Sequence, residues 1–292
     1  MENSQDYYAL PGLMTIVGDY QSYLDDTPRT VAELCRLIQG VMIHVFWADQ
    51  YGVQLPEERR EEVQLRTTTA RLKRLLALDA RPLTEVRPPD RRVVGNCRDF
   101  SVMLTAVLRH HHIPARARCG FGRYFLPNHY EDHWVCEYWH EAAGRWVLVD
   151  AQLDDLQCEK LSIAFDPLDV PRDQFIVGGR AWQLCRSGEA DPDAFGIFDM
   201  HGLWFVRGNL VRDVAALNKM ELLPWDGWGI TEGEDETLTA DDNRFLDDVA
   251  NLTSEDVPDW ERMRELYERD GRLRVPPTII SYVNGHPQLI TL

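Results

Sequence analysis

Cys97 stands in the stretch Gly95-Asn96-Cys97-Arg98-Asp99-Phe100, just before a run with the spacing of one helical face: Phe100, Met103, Leu104, Val107 and Leu108. Asn96 suits an N-cap, Gly95 a sharp turn, and Asp99 the capping-box position three residues on. Cys97 then falls in the first helical turn, beside unsatisfied N–H groups and the positive end of the helix dipole. A thiolate is stabilised there, and the thiolate is the attacking form of cysteine. Cys119 and Cys136 are rival nucleophiles, but both sit in strand-like patterns with no helix start to favour a thiolate.

A nucleophilic cysteine needs a base, and the base needs an orienting group. Asp132-His133-Trp134-Val135-Cys136-Glu137-Tyr138-Trp139 and Arg145-Trp146-Val147-Leu148-Val149-Asp150 read as two strands joined by a tight, Gly144-containing turn. With an even-length loop, residues 139–141 pair across to 144–146, and Asp150 faces Val135. Side chains alternate with period two, so His133 and Asp150 share a face as diagonal neighbours, roughly 7–8 Å apart between backbones. An odd-length loop would put them on opposite faces. His129 and His140 are the nearby alternatives to His133, and Asp154 and Asp155 the alternatives to Asp150. Cys97, His133 and Asp150 in that order suit a nucleophile, base and orienter triad. The Cys97 backbone N–H is one candidate oxyanion donor. The second is unassigned, with Trp47, Gln50 and Asn96 as guesses that read more simply as structural residues.

Three blocks in order resemble the transglutaminase-like superfamily of papain-like cysteine enzymes: Gly95-Asn96-Cys97-Arg98-Asp99-Phe100-Ser101, His133 with Glu137, and Gly144-Arg145-Trp146-Val147-Leu148-Val149-Asp150. The resemblance covers about residues 85–155. Where that family has a small residue and then Trp after its histidine, this chain has Trp134 and then Val135. Where a proline often follows the family's aspartate, this chain has Ala151. The resemblance implies an α+β fold, with helices packed on an antiparallel sheet, and acyl transfer through a thioester. Some relatives depend on calcium, but the acidic run at 232–236 does not match an EF-hand loop.

Several elements must position these groups. Residues 1–27 suggest an ordered arm with one short helix. Thr30 and Glu33 form a capping box that opens a helix to about Trp47, and Glu57 to Ala77 read as a second helix. Pro88-Pro89 forces an extended approach to Gly95. His110-His111-His112 reads as a polar helix end rather than a metal site, since consecutive helical side chains diverge. Arg116, Arg118 and Arg123 either line a cleft or form paired surface arginines. Beyond about residue 160 lie a turn-rich stretch at 166–179, helical patterns near 181–184, 209–217, 239–251 and 258–270, and a β-like run at 278–283 before Asn284-Gly285. Leu223 to Gly229 read as an aromatic loop with a packing role, and Thr231 to Glu236 as an acidic linker. Residues 1–165 are expected as the catalytic core, and 166–292 as an accessory α+β extension shaping the cleft.

The 292 residues, 44% hydrophobic and 27% charged, are ordinary for a globular protein. A net charge of −17 argues against nucleic acid and anionic membrane partners. The six cysteines form no C-x-x-C pair and read as reduced thiols, which, with no signal-peptide pattern and no long apolar run, points to a cytoplasmic protein. No cofactor and no metal are expected. The expected partner is an amide-containing peptide, protein or small molecule, with oligomeric state open. The function expected is a cysteine hydrolase or acyltransferase, and the alternative is a binding module that keeps the fold without turnover.

Overall fold

Two compact units organise the chain, and both are interleaved in sequence: residues 1–117 with 134–170, and residues 118–133 with 171–292. The computed structural model describes residues 4–233, 235–255 and 258–292. Glu234 of the expected acidic linker therefore lies outside the described residues.

In the first unit, two short helices, α1 (Ser4–Ala9) and α2 (Gln21–Asp25), form the N-terminal arm. Thr30 caps α3 (Val31–Val41), its side chain accepting the Glu33 N–H. The helix stops at Val41, short of the expected Trp47. Residues Met42–His44 instead form strand β1 and pair in parallel with β2 (Val93–Gly95). Pairing with a strand some fifty residues away overrides the local helical pattern. The expected helix over 57–77 is likewise broken, into α4 (Glu57–Arg60), a 3-10 turn over Glu61–Gln64 and α5 (Thr68–Leu78). Thr67 caps the new start, and the Leu65 carbonyl is taken by Arg71 Nη2 at 2.8 Å.

Helix α6 (Cys97–His110) is the axis of this unit. Phe100, Met103, Leu104, Val107 and Leu108 pack into one core with Leu34, Ile38, Leu72, Leu75, Val147 and Val149. Each fully buried side chain of this size contributes about 1.5–3 kcal/mol. The helix is not amphipathic in place: every residue from Cys97 to Arg109 is buried. Its polar residues are paired instead, as with Arg109, which reaches the Ala115 carbonyl and Thr15 Oγ1, both at 2.9 Å. Of the three histidines at its end, His110 meets Asp25 at 2.9 Å and His111 meets Thr27 at 2.8 Å, yet their rings lie edge to face at 5.3 Å, and His112 turns into the left-handed region.

Strands β3 (Ala115–Gly122) and β4 (Tyr130–His140) each cross the boundary between units, after Ala117 and after His133. In the first unit β4 pairs antiparallel with β5 (Arg145–Val149), with Trp139 opposite Trp146 and Cys136 opposite Val149, the register of the even-length loop. Glu141–Ala143 and the left-handed Gly144 make the turn. Helix α7 (Asp155–Leu161) follows, capped by Asp154.

In the second unit β3 pairs antiparallel with β6 (Phe175–Val177), while β4 pairs in parallel with β7 (Phe195–Ile197), which turns back onto β8 (Met200–His201). The sheet is thus mixed rather than purely antiparallel. Helices α8 (Gly178–Ser187), α9 (Leu203–Leu217) and α10 (Ala240–Thr253) pack closely. A Cβ on Gly178 would lie 2.7 Å from the Asn209 backbone, so only glycine allows that approach. Helix α11 (Trp260–Arg269) completes the helical part. The aromatic loop packs as expected: it supplies β9 (Asp226–Gly227), and the buried Trp228 indole donates to the Leu273 carbonyl at 2.8 Å. Strand β10 (Thr278–Val283) pairs with β9 and turns through Asn284-Gly285, both at positive φ, into β11 (His286–Thr291). That two-residue link is the hairpin turn Asn-Gly favours. The fold class is α+β.

Candidate active site

Cys97 is the first residue of α6 and is 9% exposed. The capping box is complete: Asn96 Oδ1 accepts the Asp99 N–H at 3.2 Å, and Asp99 Oδ2 accepts the Asn96 N–H at 3.0 Å. Asp99 is itself clamped, with Arg71 Nη2 at 2.6 Å and Arg98 Nη1 at 3.0 Å. Both guanidiniums are buried. Burial pulls the Arg71 pKa down, and the Asp99 carboxylate opposes it. Their remaining donors reach backbone carbonyls, Arg71 Nη1 to Val94 at 3.0 Å and Arg98 Nη2 to Arg66 at 2.8 Å. The motif's charged residues therefore form a frame that holds the helix start. Gly95 belongs to that frame, since a Cβ there would meet Met42 Cε at 2.9 Å and Asp99 Cβ at 3.0 Å.

One turn on, Ser101 Oγ lies 3.0 Å from the Cys97 carbonyl and 2.9 Å from the Trp134 carbonyl. This holds β4 at Trp134 against the first turn of α6. Asp150 directly follows β5 and is 1% exposed. Its Oδ1 accepts the Gln152 N–H at 3.0 Å, and its own N–H donates to the Pro167 carbonyl at 2.9 Å. A directional chain runs on from Gln152. Its Nε2 donates to Gln157 Oε1 at 3.0 Å, Gln157 Nε2 to Tyr51 Oη at 3.2 Å, and Tyr51 Oη to Asp154 Oδ2 at 2.7 Å. Burial and the bond to Asp154 push the Tyr51 hydroxyl up. Asp154 is thereby occupied as cap of α7 and acceptor for Tyr51, and Asp155 is exposed on α7.

His133 belongs to the second unit, as the last residue before the boundary, one peptide bond from Trp134. It is 2% exposed. Its ring lies among the aromatic rings of Phe125, Tyr124 and Phe175, with centroids at 4.8, 5.8 and 6.3 Å. Two acidic neighbours precede it. Burial pushes the Asp132 carboxyl up, against a 2.8 Å bond from Asn209. Burial and the adjacent Asp132 push Glu131 up to about 7. The alternative histidines are engaged elsewhere: His129 near Glu131 at 3.2 Å, and His140 in accepting the Ala143 N–H at 3.1 Å.

The rival cysteines are packing residues. Cys136 receives the Thr105 hydroxyl at 3.3 Å in the core, and Cys119 is fully buried in β3 with its N–H on Asp213. The three arginines are neither cleft-lining as a set nor uniformly solvated. Arg116 is buried, 2.6 Å from Glu137 and stacked 4.1 Å over Trp146, and Arg118 is buried on Asp213 at 2.8 Å. Arg123 lies over the Tyr130 ring and donates to the Asp173 carbonyl. His44 lies in a stretch whose local pattern reads as helix but which forms β1. It is 6% exposed, sits opposite Gly95 in the β1–β2 ladder, and its Nδ1 accepts the Phe46 N–H at 3.2 Å.

Residues 77–151 match the family model of the Transglutaminase-like superfamily, a segment that contains Cys97, His133 and Asp150. No curated protein matches the chain. A solved structure from Cytophaga hutchinsonii, a protein assigned only provisionally as a cysteine protease, aligns at 14% identity with a TM-score of 0.37. The alignment covers 61% of this chain and 46% of that one, so the chain spans just under half of its length.

Proposed function

From a transglutaminase-like segment at residues 77–151, we propose that the protein is a cysteine enzyme that transfers an acyl group from an amide-like carbonyl through a thioester. Cys97 is the nucleophile, His133 the base and then the acid, and Asp150 the orienter. Cys97 Sγ, its proton passed to the imidazole, attacks the carbonyl carbon. The carbonyl electron pair moves onto oxygen and returns as the C–N bond breaks, and the amine leaves with the proton from the imidazolium. Water or a second amine then attacks the thioester, giving hydrolysis or transamidation, and Cys97 is released as the leaving thiolate.

The observation that carries this reading is the rigid placement of Cys97 at the start of α6, in a box closed by Asn96 and Asp99. The β4–β5 ladder has the even-length register, with Cys136 opposite Val149, from which Asp150 is read as the orienter. Among the described residues, no helix is long and apolar enough to cross a membrane.

Iodoacetamide labelling at neutral pH tests the nucleophile. A Cys97 thiolate held by its surroundings labels well ahead of an ordinary thiol, and labelling no faster than a free thiol favours a binding module. Trapping with hydroxylamine or putrescine then separates the two fates of the acyl group: capture marks amine transfer, and simple release marks hydrolysis.

A further inference from the structure

Asn96 does more than cap a helix. Its side-chain oxygen accepts the Asp99 N–H at 3.2 Å, which fixes the amide's orientation. The reversed amide would set Nδ2–H against the Asp99 N–H, donor against donor. Nδ2 must therefore point away from the capped turn. It is buried and finds no acceptor among the described residues, in a residue only 6% exposed. An unmet buried donor is costly, and each one calls for an explanation, a catalytic role among them. The surrounding frame leaves it little freedom. The Asn96 N–H is held by Asp99, Gly95 is paired with His44, and the Gly95 carbonyl takes the Val45 N–H at 2.9 Å.

We propose that Asn96 Nδ2 is the second oxyanion donor, acting beside the Cys97 backbone N–H. This inference rests on the reading of Cys97 as nucleophile. As the Sγ–C bond forms, the carbonyl π pair becomes an oxyanion, and Asn96 Nδ2–H donates to it. When the C–N bond breaks, the pair returns to the carbonyl and that bond weakens again. The donor binds the charged oxygen more strongly than the neutral one, so it lowers the barrier rather than merely tightening binding. The capping bond and the frame fix the amide's orientation before the charge appears, and the buried Nδ2 is uncovered as the substrate oxygen seats against it.

Asn96→Ser separates the two roles of the side chain, since serine caps a helix about as well as asparagine but has no Nδ2. Asn96→Asp also keeps the capping oxygen, and puts a negative charge where the donor stood. The full-length wild type and both variants are acylated with p-nitrophenyl acetate in a stopped-flow burst, with the Cys97→Ala rate subtracted. Iodoacetamide alkylation runs in parallel, because it forms no oxyanion. We expect Asn96→Ser to lose about 10²–10³-fold in acylation, with alkylation and melting temperature close to wild type. Asn96→Asp loses more in acylation relative to its own alkylation rate. Acylation of Asn96→Ser within about threefold of wild type overturns the assignment, and so does an equal loss in both reactions, which would mark a purely structural role. A wild-type Cys97 that alkylates like a free thiol instead brings down the nucleophile reading, and this inference with it.

Discussion

Ser101 Oγ sits between two backbone carbonyls, 3.0 Å from that of Cys97 and 2.9 Å from that of Trp134. One hydroxyl thus ties the turn that carries the proposed nucleophile to the strand residue next to the proposed base. Ser101→Ala removes the only proton available to either contact. A buried hydrogen bond of this kind is worth about 1 kcal/mol, so the melting temperature should fall by about 2–4 °C. The distinctive expectation is kinetic: turnover drops far more than that small loss of stability accounts for. Thr105→Val is the control, because it loses comparable bonds, to the Ser101 carbonyl at 2.8 Å and to Cys136, one turn further from Cys97. Equal effects of the two substitutions on kcat would show that Ser101 does not position the site.

Asp99 is the second structural hub. Asp99→Asn keeps the shape and an oxygen for capping, but leaves the buried Arg71 and Arg98 without their carboxylate. Breaking a buried pair by removing one partner costs about 3–5 kcal/mol. The expected result is a protein that unfolds at much lower denaturant concentration. A midpoint within experimental error of wild type would show that the two arginines are satisfied by their backbone carbonyls alone.

Local chemistry made part of this legible in the sequence. A capping box is a four-residue pattern, so the start of α6 at Cys97 could be read directly. Strand parity needs only the turn length, so the register joining Trp139 to Trp146 followed from Gly144 and its neighbours. What could not be read depended on distant partners. Met42–His44 look helical until β2 supplies a parallel partner, so nothing local sets His44 opposite Gly95. Arg71 comes from α5, so nothing near Cys97 announces that Asp99 serves two guanidiniums. Arg116 and Arg118 look like surface charge, yet each is buried on a carboxylate from another element, Glu137 and Asp213. The unpartnered Asn96 amide is likewise visible only once burial is known.

Glu131 gives the second unit a pH-dependent stability. Its carboxyl is pushed up from 4.5 to about 7, first by burial and then by Asp132, with His133 opposing. Between those two values the folded protein holds a proton that the unfolded chain has lost. Stability therefore falls as pH rises through that window, because the folded state binds more protons. Allowing for the part of the carboxyl that stays in water, the loss is about 1–2 kcal/mol. Glu131→Gln should be more stable than wild type at pH 8, with the difference shrinking toward pH 4.5. Urea midpoints across that range measure it, and parallel curves for the two proteins would refute it.

Asp150→Asn is the sharpest test of the proposed triad. The substitution keeps an Oδ1 to accept the Gln152 N–H, and the backbone bond to Pro167 is untouched, so the fold should survive with a nearly unchanged melting temperature. What is lost is the negative charge that would orient and stabilise an imidazolium. In a nucleophile and base pair of this type, that loss costs about 10⁴ in kcat. If Asp150 plays that part, turnover falls by about 10²–10⁴, and the rate of Cys97 alkylation below pH 7 falls with it, since the thiolate loses its charged partner. If Asp150 is only the residue that ends β5 and turns the chain into α7, both rates stay within a few-fold of wild type. Asp154→Asn separates the neighbouring carboxylate. It weakens the Tyr51 bond and the cap of α7, and so lowers the melting temperature without lowering the alkylation rate. A reversed pattern, with Asp154 controlling alkylation and Asp150 controlling only stability, would move the orienting role to the start of α7.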